Sequence, residues 1–308
     1  MNKYLLVSKR RNIQEYIKSN FDNCLFIHTI PYNFEINKII REVRNNNYDQ
    51  VILEDYVIGL EKIISKLSLE NVKVKLIWTS GLATLNSDIE LDNLLEVIEL
   101  LKSKKLYSIA FTDDGMYEMY KNIKGVCKVK YTVISQNEEE PKKINRIGVY
   151  GEDIDWRSNY FNQISAVKMV DGFILSLVHA RRITKKYCKL FDMKYTNIKS
   201  VLSTNSFRKS IINNKVNSMV EFSNKMELFI IDSFNYGIPC VVGNNTLFFA
   251  NTDLEQCVVV KSDDDINEIS EKMKLCIKNK KKIISIYNKI KKQYDKDSKT
   301  LINSFIER

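Results

Sequence analysis

The stretch that decides the fold is residues 220–245, VEFSNKMELFIIDSFNYGIPCVVGNN. Its first three residues predict a short strand, and the polar pair that follows is typical of a helix cap. Residues 226–236 predict a helix that is apolar on most of its faces and therefore buried. Gly237 and Pro239 end that helix, and the apolar run 240–242 predicts a second buried strand. Strand, helix and strand in this order are the repeating unit of a parallel sheet.

The same alternation runs outward from this stretch through the whole chain. Predicted strands lie at 3–8, 24–28, 50–54, 72–78, 106–111 and 126–135 in the first half, and at 145–150, 172–178, 197–202, 220–222, 240–242 and 255–260 in the second. The second half also predicts one helix over 156–170 and a mostly helical segment over 266–305. Residues 136–143, QNEEEPKK, are polar and contain a proline, so they predict a boundary. The expected fold class is α/β, with two Rossmann-like doubly wound domains, 1–140 and 141–308, that face each other across a cleft.

Bulk properties narrow the class of protein. The chain has 308 residues, 44% of them hydrophobic, and no apolar run of membrane-spanning length, so we expect a cytoplasmic protein. With two histidines and six scattered cysteines, we expect no protein-built metal site. The net charge is +10, and the segment between Lys272 and Lys299 holds eleven lysines and two aspartates. One basic C-terminal helix therefore accounts for nearly all of the excess charge.

Three segments of the second half carry a resemblance to a known family. The helix end DSFNYGIP at 232–239, the preceding Ser223 and Asn224, and the opening IGVYG at 147–151 stand out. They resemble the donor-binding domain of GT-B glycosyltransferases of the group 1 or family 4 type. In that family, two acidic residues eight positions apart hold a sugar nucleotide, and here those positions are Asn224 and Asp232. The resemblance implies metal-independent transfer of a sugar from a nucleotide donor, UDP-linked by expectation, with no cofactor.

The donor candidates follow from where ligands bind in parallel sheets, which is beyond the carboxyl ends of the strands. A diphosphate needs cations or a helix N-terminus, and ribose hydroxyls need a carboxylate. The predicted donor-binding residues are Gly151, Arg181, Arg182, Asn224, Lys225, Met226, Glu227, Asp232 and Ser233. Simpler roles stay open: the two arginines as a solvated basic face, Glu227 as half of a capping box, and Asp232 as a buried carboxylate satisfied by neighbouring amides.

Catalytic and acceptor candidates lie at other strand ends. Asp113 and Asp114 are the expected general bases if the anomeric centre is inverted, and capping of the helix that follows is the alternative role for either residue. His179 follows a buried strand and is a further catalytic candidate, with a structural role as the alternative. The first half supplies the predicted acceptor-side residues Glu54, Asp55, Trp78 and Ser80.

Three functions from different classes remain open. The first is a glycosyltransferase that acts on a glycan, a protein, a lipid-linked molecule or another biopolymer. The second is a GT-B-fold binding subunit that has lost catalysis, motivated by Asn224 and by the absence of a glycine-rich loop after the first strand. The third is a phage-type DNA glycosyltransferase, in which basic residues would grip phosphates. The lysines between Lys272 and Lys299 also suggest contact with an anionic membrane surface as a peripheral protein, and the oligomeric state is open.

Overall fold

The computed structural model describes residues 3–9, 14–27, 33–56, 59–81, 85, 87–132, 144–150, 156–178, 182–198, 212–222 and 227–308. The chain divides into two compact units. The first comprises 1–134 together with 293–308, and the second comprises 135–292. In the part of the chain that the structure describes, no helix is long and apolar enough to cross a membrane.

The first unit contains a parallel six-stranded sheet in the order β2-β1-β3-β4-β5-β6. Its strands are β1 Tyr4–Ser8, β2 Cys24–Phe26, β3 Gln50–Glu54, β4 Lys73–Trp78, β5 Ser108–Phe111 and β6 Val126–Lys128. The helices between them are α1 Gln14–Lys18, α2 Asn33–Asn46, α3 Leu60–Leu69, α4 Asp88–Lys102 and α5 Asp114–Tyr120. The inward faces of α2, α3 and α4 pack on the sheet and form one hydrophobic core.

The second unit contains a parallel five-stranded sheet in the order β11-β10-β7-β8-β9. Its strands are β7 Arg146–Val149, β8 Ile174–Val178, β9 Tyr195–Ile198, β10 Val216–Met219 and β11 Cys240–Val242. Its helices are α6 Tyr160–Lys168, α7 Arg182–Leu190, α8 Glu227–Asn235, α9 Glu255–Val258 and α10 Ile266–Lys278. A last helix, α11 Lys280–Glu307, begins in the second unit and ends in the first. Two doubly wound, Rossmann-like units confirm the predicted fold class.

Three predicted elements of the second unit are wrong in detail. The strand expected at 220–222 lies at Val216–Met219, because the amide of Val220 donates to the Gln163 side chain (3.0 Å) instead of to a strand. The strand expected at 255–260 is the short helix α9, and only a single bridge at Val259 joins the sheet. The helix expected over 156–170 is split into a 3-10 turn, Trp156–Ser158, and α6, since Asn159 between them has a φ of +49°.

The end of α11 is held in the first unit by a buried lysine. Lys75 lies in β4 with its side chain fully buried, and its Nζ donates to the carbonyl oxygens of Phe305 (2.7 Å) and Ile306 (2.9 Å). Gln50 of β3 donates a further hydrogen bond to Ile306 (3.2 Å). These carbonyls have no partner within the helix, and the lysine satisfies them. Burial lowers the pKa of Lys75 to about 8, and the charge of Lys73 adds to this effect.

Candidate functional site

Each sheet has one point at which its strand order reverses. In the second unit, β7 and β10 are neighbours, and the chain leaves them in opposite directions along the sheet, from β7 to β8 and from β10 to β11. In the first unit, β1 and β3 have the same relation. Open parallel sheets bind ligands beyond the carboxyl ends of the strands at such a reversal. The candidate sites are therefore the loops that follow these two strand pairs.

An aromatic pair stands at the reversal point of the second sheet. Trp156 lies in the 3-10 turn that comes after β7, and Phe222 follows β10. Their ring centroids are 6.0 Å apart with an interplanar angle of 31°, and the amide of Phe222 donates to the carbonyl of Arg157 (2.7 Å). Trp156 is 70% exposed and Phe222 is 37% exposed. Large exposed rings held by a backbone hydrogen bond can stack on a planar base or on the apolar face of a sugar.

Sequence reasoning missed this pair. It assigned Trp156 to a long helix and Phe222 to a buried strand, and neither was a candidate site residue. The available signal was the position of Phe222, an aromatic residue at the end of the predicted strand 220–222 and shortly before the predicted helix 226–236.

The other strand-end loops of the second unit pack closely on one another. A Cβ atom on Gly243, after β11, would lie 3.0 Å from both Asp263 Oδ1 and the carbonyl oxygen of Glu221. Asp263 accepts a hydrogen bond from the amide of Asn244 (2.8 Å). Burial raises the pKa of Asp263, and this hydrogen bond partly offsets the rise. A side chain at 243 would crowd these groups, because three loops meet there.

Ser233 belongs to a buried network of polar side chains. Its hydroxyl donates to the carbonyl of Ile238 (2.8 Å) and accepts from Asn217 Nδ2 (2.7 Å). Asn217 in turn accepts from Asn214 (2.7 Å), which also donates to the hydroxyl of Tyr150 (2.8 Å). The network joins the end of α8 to β10 and β7. The predicted donor contact of Ser233 would have to compete with these two hydrogen bonds.

Gly148 leaves the space that this network occupies. A Cβ atom at this position of β7 would lie 2.4 Å from the side chains of Asn214 and Asn217, and 2.5 Å from the ring of Tyr150. No side chain fits at such distances, so the network can form only with glycine at this position.

Some of the remaining donor candidates lie in described segments of the chain, and others do not. Asp232 is on α8 with only 4% of its surface exposed, which places its carboxylate inside the second unit. It lies about 8 Å along the helix from Glu227, the first residue of α8. Arg182 is the exposed first residue of α7. Six predicted site residues lie outside the described part of the chain: Gly151, His179, Arg181, Asn224, Lys225 and Met226.

A buried carboxylate stands at the reversal point of the first sheet. Glu54 ends β3, is 2% exposed, and accepts hydrogen bonds from the hydroxyls of Ser8 and Tyr131, the latter at 2.8 Å. Ser8 ends β1 and pairs with Glu54 in the register of the two strands. The sequence predicted Glu54 as an acceptor-side residue but did not identify Tyr131, which comes from a segment more than seventy residues away, as its partner.

The other acceptor-side candidates have distinct surroundings. Asp55, with a φ of +62°, accepts hydrogen bonds from the amide (3.0 Å) and the hydroxyl of Thr79, so it joins the ends of β3 and β4. Trp78 is 2% exposed and packs in the hydrophobic core, which places it in the interior rather than on an acceptor-facing surface. Ser80 is half-buried in the loop after β4.

The two aspartates of the first unit that the sequence predicts to be catalytic are engaged in different ways. Asp113 caps α5, since its Oδ1 accepts from the amide of Met116 (2.8 Å). A Cβ atom on Gly81 would lie 2.9 Å from Oδ2 of the same residue. Asp114 forms ion pairs with Lys128 (2.7 Å) and Lys130 (3.2 Å). Burial acts to raise the pKa of Asp114, but the two lysines outweigh it and hold that pKa below its usual value.

Comparison with solved structures identifies the fold. No protein-family model and no curated protein sequence matches the chain. A glycosyltransferase from Rickettsia africae aligns over 98% of this chain and 99% of its own, with 10% identity and a TM-score of 0.63. A UDP-forming α,α-trehalose-phosphate synthase from Burkholderia xenovorans, in complex with glucose-6-phosphate, aligns over 98% of both chains, with 8% identity and a TM-score of 0.64. This is the GT-B glycosyltransferase fold.

A third structure with the GT-B fold is larger than this chain. It is a variant of TarM from S. aureus in complex with fondaparinux, alpha-GlcNAc-glycerol and UDP, with 10% identity and a TM-score of 0.63. The alignment covers 89% of this chain and 57% of TarM. The GT-B resemblance that the sequence carries at 147–151 and 232–239 is thus confirmed at the level of the fold.

Within the ranges that the structure describes, no three His, Cys, Asp or Glu side chains are grouped to hold a metal ion. Metal-independent catalysis stays a prediction.

Proposed function

We propose that the chain is a glycosyltransferase that moves a sugar from a nucleotide-diphosphate donor, a UDP-sugar, to an acceptor. The observation that carries this proposal is the exposed pair of Trp156 and Phe222 at the reversal point of the second sheet. The fold adds support, because the TarM variant is in complex with UDP and the trehalose-phosphate synthase is named UDP-forming. The acceptor is a glycan, a protein, a lipid-linked molecule or another biopolymer.

The donor would be held by chemically distinct parts of the second unit. The two rings stack on the base, which is flat and apolar on both faces. The start of α8 carries partial positive charge and faces the diphosphate, with Arg182 as a second source of positive charge. The carboxylate of Asp232 orients the donor from within the unit. The positive groups stabilise the diphosphate as it departs, without a metal.

The first unit would supply the acceptor side. Asp55 and Ser80 lie in the loops after β3 and β4 and contribute a carboxylate and a hydroxyl group that recognise acceptor hydroxyls. Glu54, at the buried end of β3, holds Ser8 and Tyr131 in place behind them. Of the two aspartates, Asp113 is the better general base, because the ion pairs of Asp114 lower its pKa and so weaken it as a proton acceptor. The proton of the acceptor hydroxyl passes to Asp113 if the anomeric centre is inverted.

Calorimetric titration with UDP tests the donor site. Trp156→Ala should weaken UDP binding about ten-fold, since one aromatic ring on a base is worth on the order of 1–3 kcal/mol. Asp232→Asn, which keeps the size of the side chain, should also weaken it. Met169→Ala is the matched control, because Met169 is 42% exposed but follows the end of α6 remote from the reversal point. Unchanged UDP affinity in the Trp156 variant would overturn the site.

A binding subunit without catalysis is the second candidate. The observation that favours it is that both aspartates after β5 are already engaged, one as a helix cap and one in ion pairs. A panel of UDP-sugars separates the two functions by following UDP release alongside binding. UDP binding with no turnover, with or without acceptor, would favour the subunit, and UDP release that depends on acceptor would favour the enzyme.

A further inference from the structure

One short helix of the second unit presents an unusual surface. In α7, a single arc carries Arg182, Lys185, Lys186 and Lys189, and all four side chains are exposed. With about 100° between successive residues, these cations span an arc of about 100°. No acidic residue occurs in the helix, and no acidic side chain in the described ranges forms an ion pair with any of the four.

Apolar side chains lie directly beside that arc. Ile183 is 55% exposed and Leu190 is 77% exposed, and their seven-residue spacing puts them within about 20° of each other on the helix. Phe191, just after the helix, is 37% exposed. The opposite face carries Thr184 and Cys188, which are buried. We name Ile183, Lys185, Lys186, Lys189 and Leu190 the α7 surface.

The basic C-terminal helix lacks this combination. Its exposed cations include Lys281, Lys282 and Lys289, but α10 and α11 expose no large apolar side chain, and the structure describes every residue of both. Instead, Ile283 and Tyr287 face inward, and Lys291 donates to Asn235 (3.1 Å). The expectation from the sequence that this helix contacts a membrane rested on its lysines.

We propose that the α7 surface binds the anionic surface of a lipid bilayer. Clustered cations attract acidic headgroups, and exposed apolar side chains at the edge of such a cluster enter the headgroup boundary. Attraction by charge and insertion of apolar groups together are the two signals that make peripheral binding stable. α7 connects β8 to the edge strand β9, so this surface is separate from the reversal point between β7 and β10.

Co-sedimentation with vesicles tests the proposal on the full chain. Wild-type protein should bind vesicles of phosphatidylcholine with phosphatidylglycerol, and should not bind pure phosphatidylcholine. Lys185→Gln with Lys186→Gln should weaken binding about 25-fold, at about five-fold for each charge. Ile183→Ser with Leu190→Ser should weaken it about ten-fold without any change of charge. Circular dichroism and thermal melting establish that both double variants are folded.

The matched control removes the same charge elsewhere. Lys281→Gln with Lys282→Gln on α11 should change vesicle binding less than three-fold. A loss equal to that of the α7 charge variant would overturn the assignment, because net charge alone would then explain binding. Full binding by the Ile183 and Leu190 variant would also overturn it, as would a stable dimer of the wild type that this variant disrupts. Equal retention of wild type on DNA and on anionic vesicles, lost in the same variants, would point to a general polyanion surface and overturn the lipid assignment.

Discussion

The buried amine of Lys75 predicts a pH dependence of stability that can be measured cleanly. Its pKa is about 8 in the folded state, against an ordinary value of 10.5 for an unfolded chain. Between these two values the unfolded state binds a proton that the folded state has released. The free energy of unfolding therefore rises with pH through this window, and the gain is lost again as the pH falls from 10.5 to about 8.

The magnitude follows from the difference in bound protons. With a folded pKa of about 8, the free energy of unfolding rises by about 2 kcal/mol between about pH 7 and about pH 9.5. Lys75→Met removes this term but leaves every other titrating group in place. The variant also leaves the carbonyls of Phe305 and Ile306 without their donor, and that cost is the same at both pH values. The difference in the free energy of unfolding between wild type and variant should therefore change by about 2 kcal/mol between about pH 7 and about pH 9.5.

Fluorescence can isolate the first unit for this measurement. The chain has two tryptophans, and Trp78 is buried in the first unit while Trp156 is exposed in the second. In a Trp156→Phe background, the emission of Trp78 during urea unfolding reports on the first unit alone. A constant difference between wild type and Lys75→Met at both pH values would refute the reasoning. It would mean that the carbonyl dipoles at the end of α11 hold the ammonium charged despite its burial.

Substitutions at Gly148 and at Asp113, each with a matched control, test features of the two units. Gly148→Ala should lower the free energy of unfolding by about 3 kcal/mol or more, because its Cβ collides with a buried hydrogen-bonded network, whereas Gly172→Ala meets no atom within 4 Å and should cost only about 1 kcal/mol for its φ of +78°; equal losses in urea unfolding would contradict this. Asp113→Ala should cost about 1 kcal/mol by removing the cap of α5, and Asp113→Ser should keep that stability. If Asp113 is the general base, both variants lose sugar transfer, and an active Asp113→Ser would limit the residue to capping.

Local patterns in the sequence were enough to predict most of the secondary structure. The predicted bounds 50–54 and 240–242 match β3 and β11 residue for residue, because each is a compact apolar pattern. The errors arise where a distant group decides the outcome. The end of β10 depends on a side chain of α6, namely Gln163, which replaces the next strand partner. Periodicity within one segment contains no information about such a partner.

In the candidate site, too, local patterns predicted some residues and distant contacts determine the others. The rule for strand ends selected Glu54 and Asp113 from the sequence, and both lie at strand-end positions of the first unit. The partners of Glu54 and the pairing of Trp156 with Phe222 depend on segments far apart in the chain, so no local pattern predicts them. Likewise, a lysine inside a strand normally indicates an exposed face. Lys75 is buried because the end of α11 covers it.

The first unit is formed by two separate stretches of chain, and this sets the order in which the two units can be completed during synthesis. Residues 293–308 belong with 1–134, yet the 158 residues from 135 to 292 are synthesised between them. At about 5–20 residues per second, this interval lasts on the order of ten to thirty seconds. Throughout that time the amine of Lys75 has no helix end to cap, and the second unit receives its last residue before the first unit does. The unit that is translated first is therefore the one that matures last.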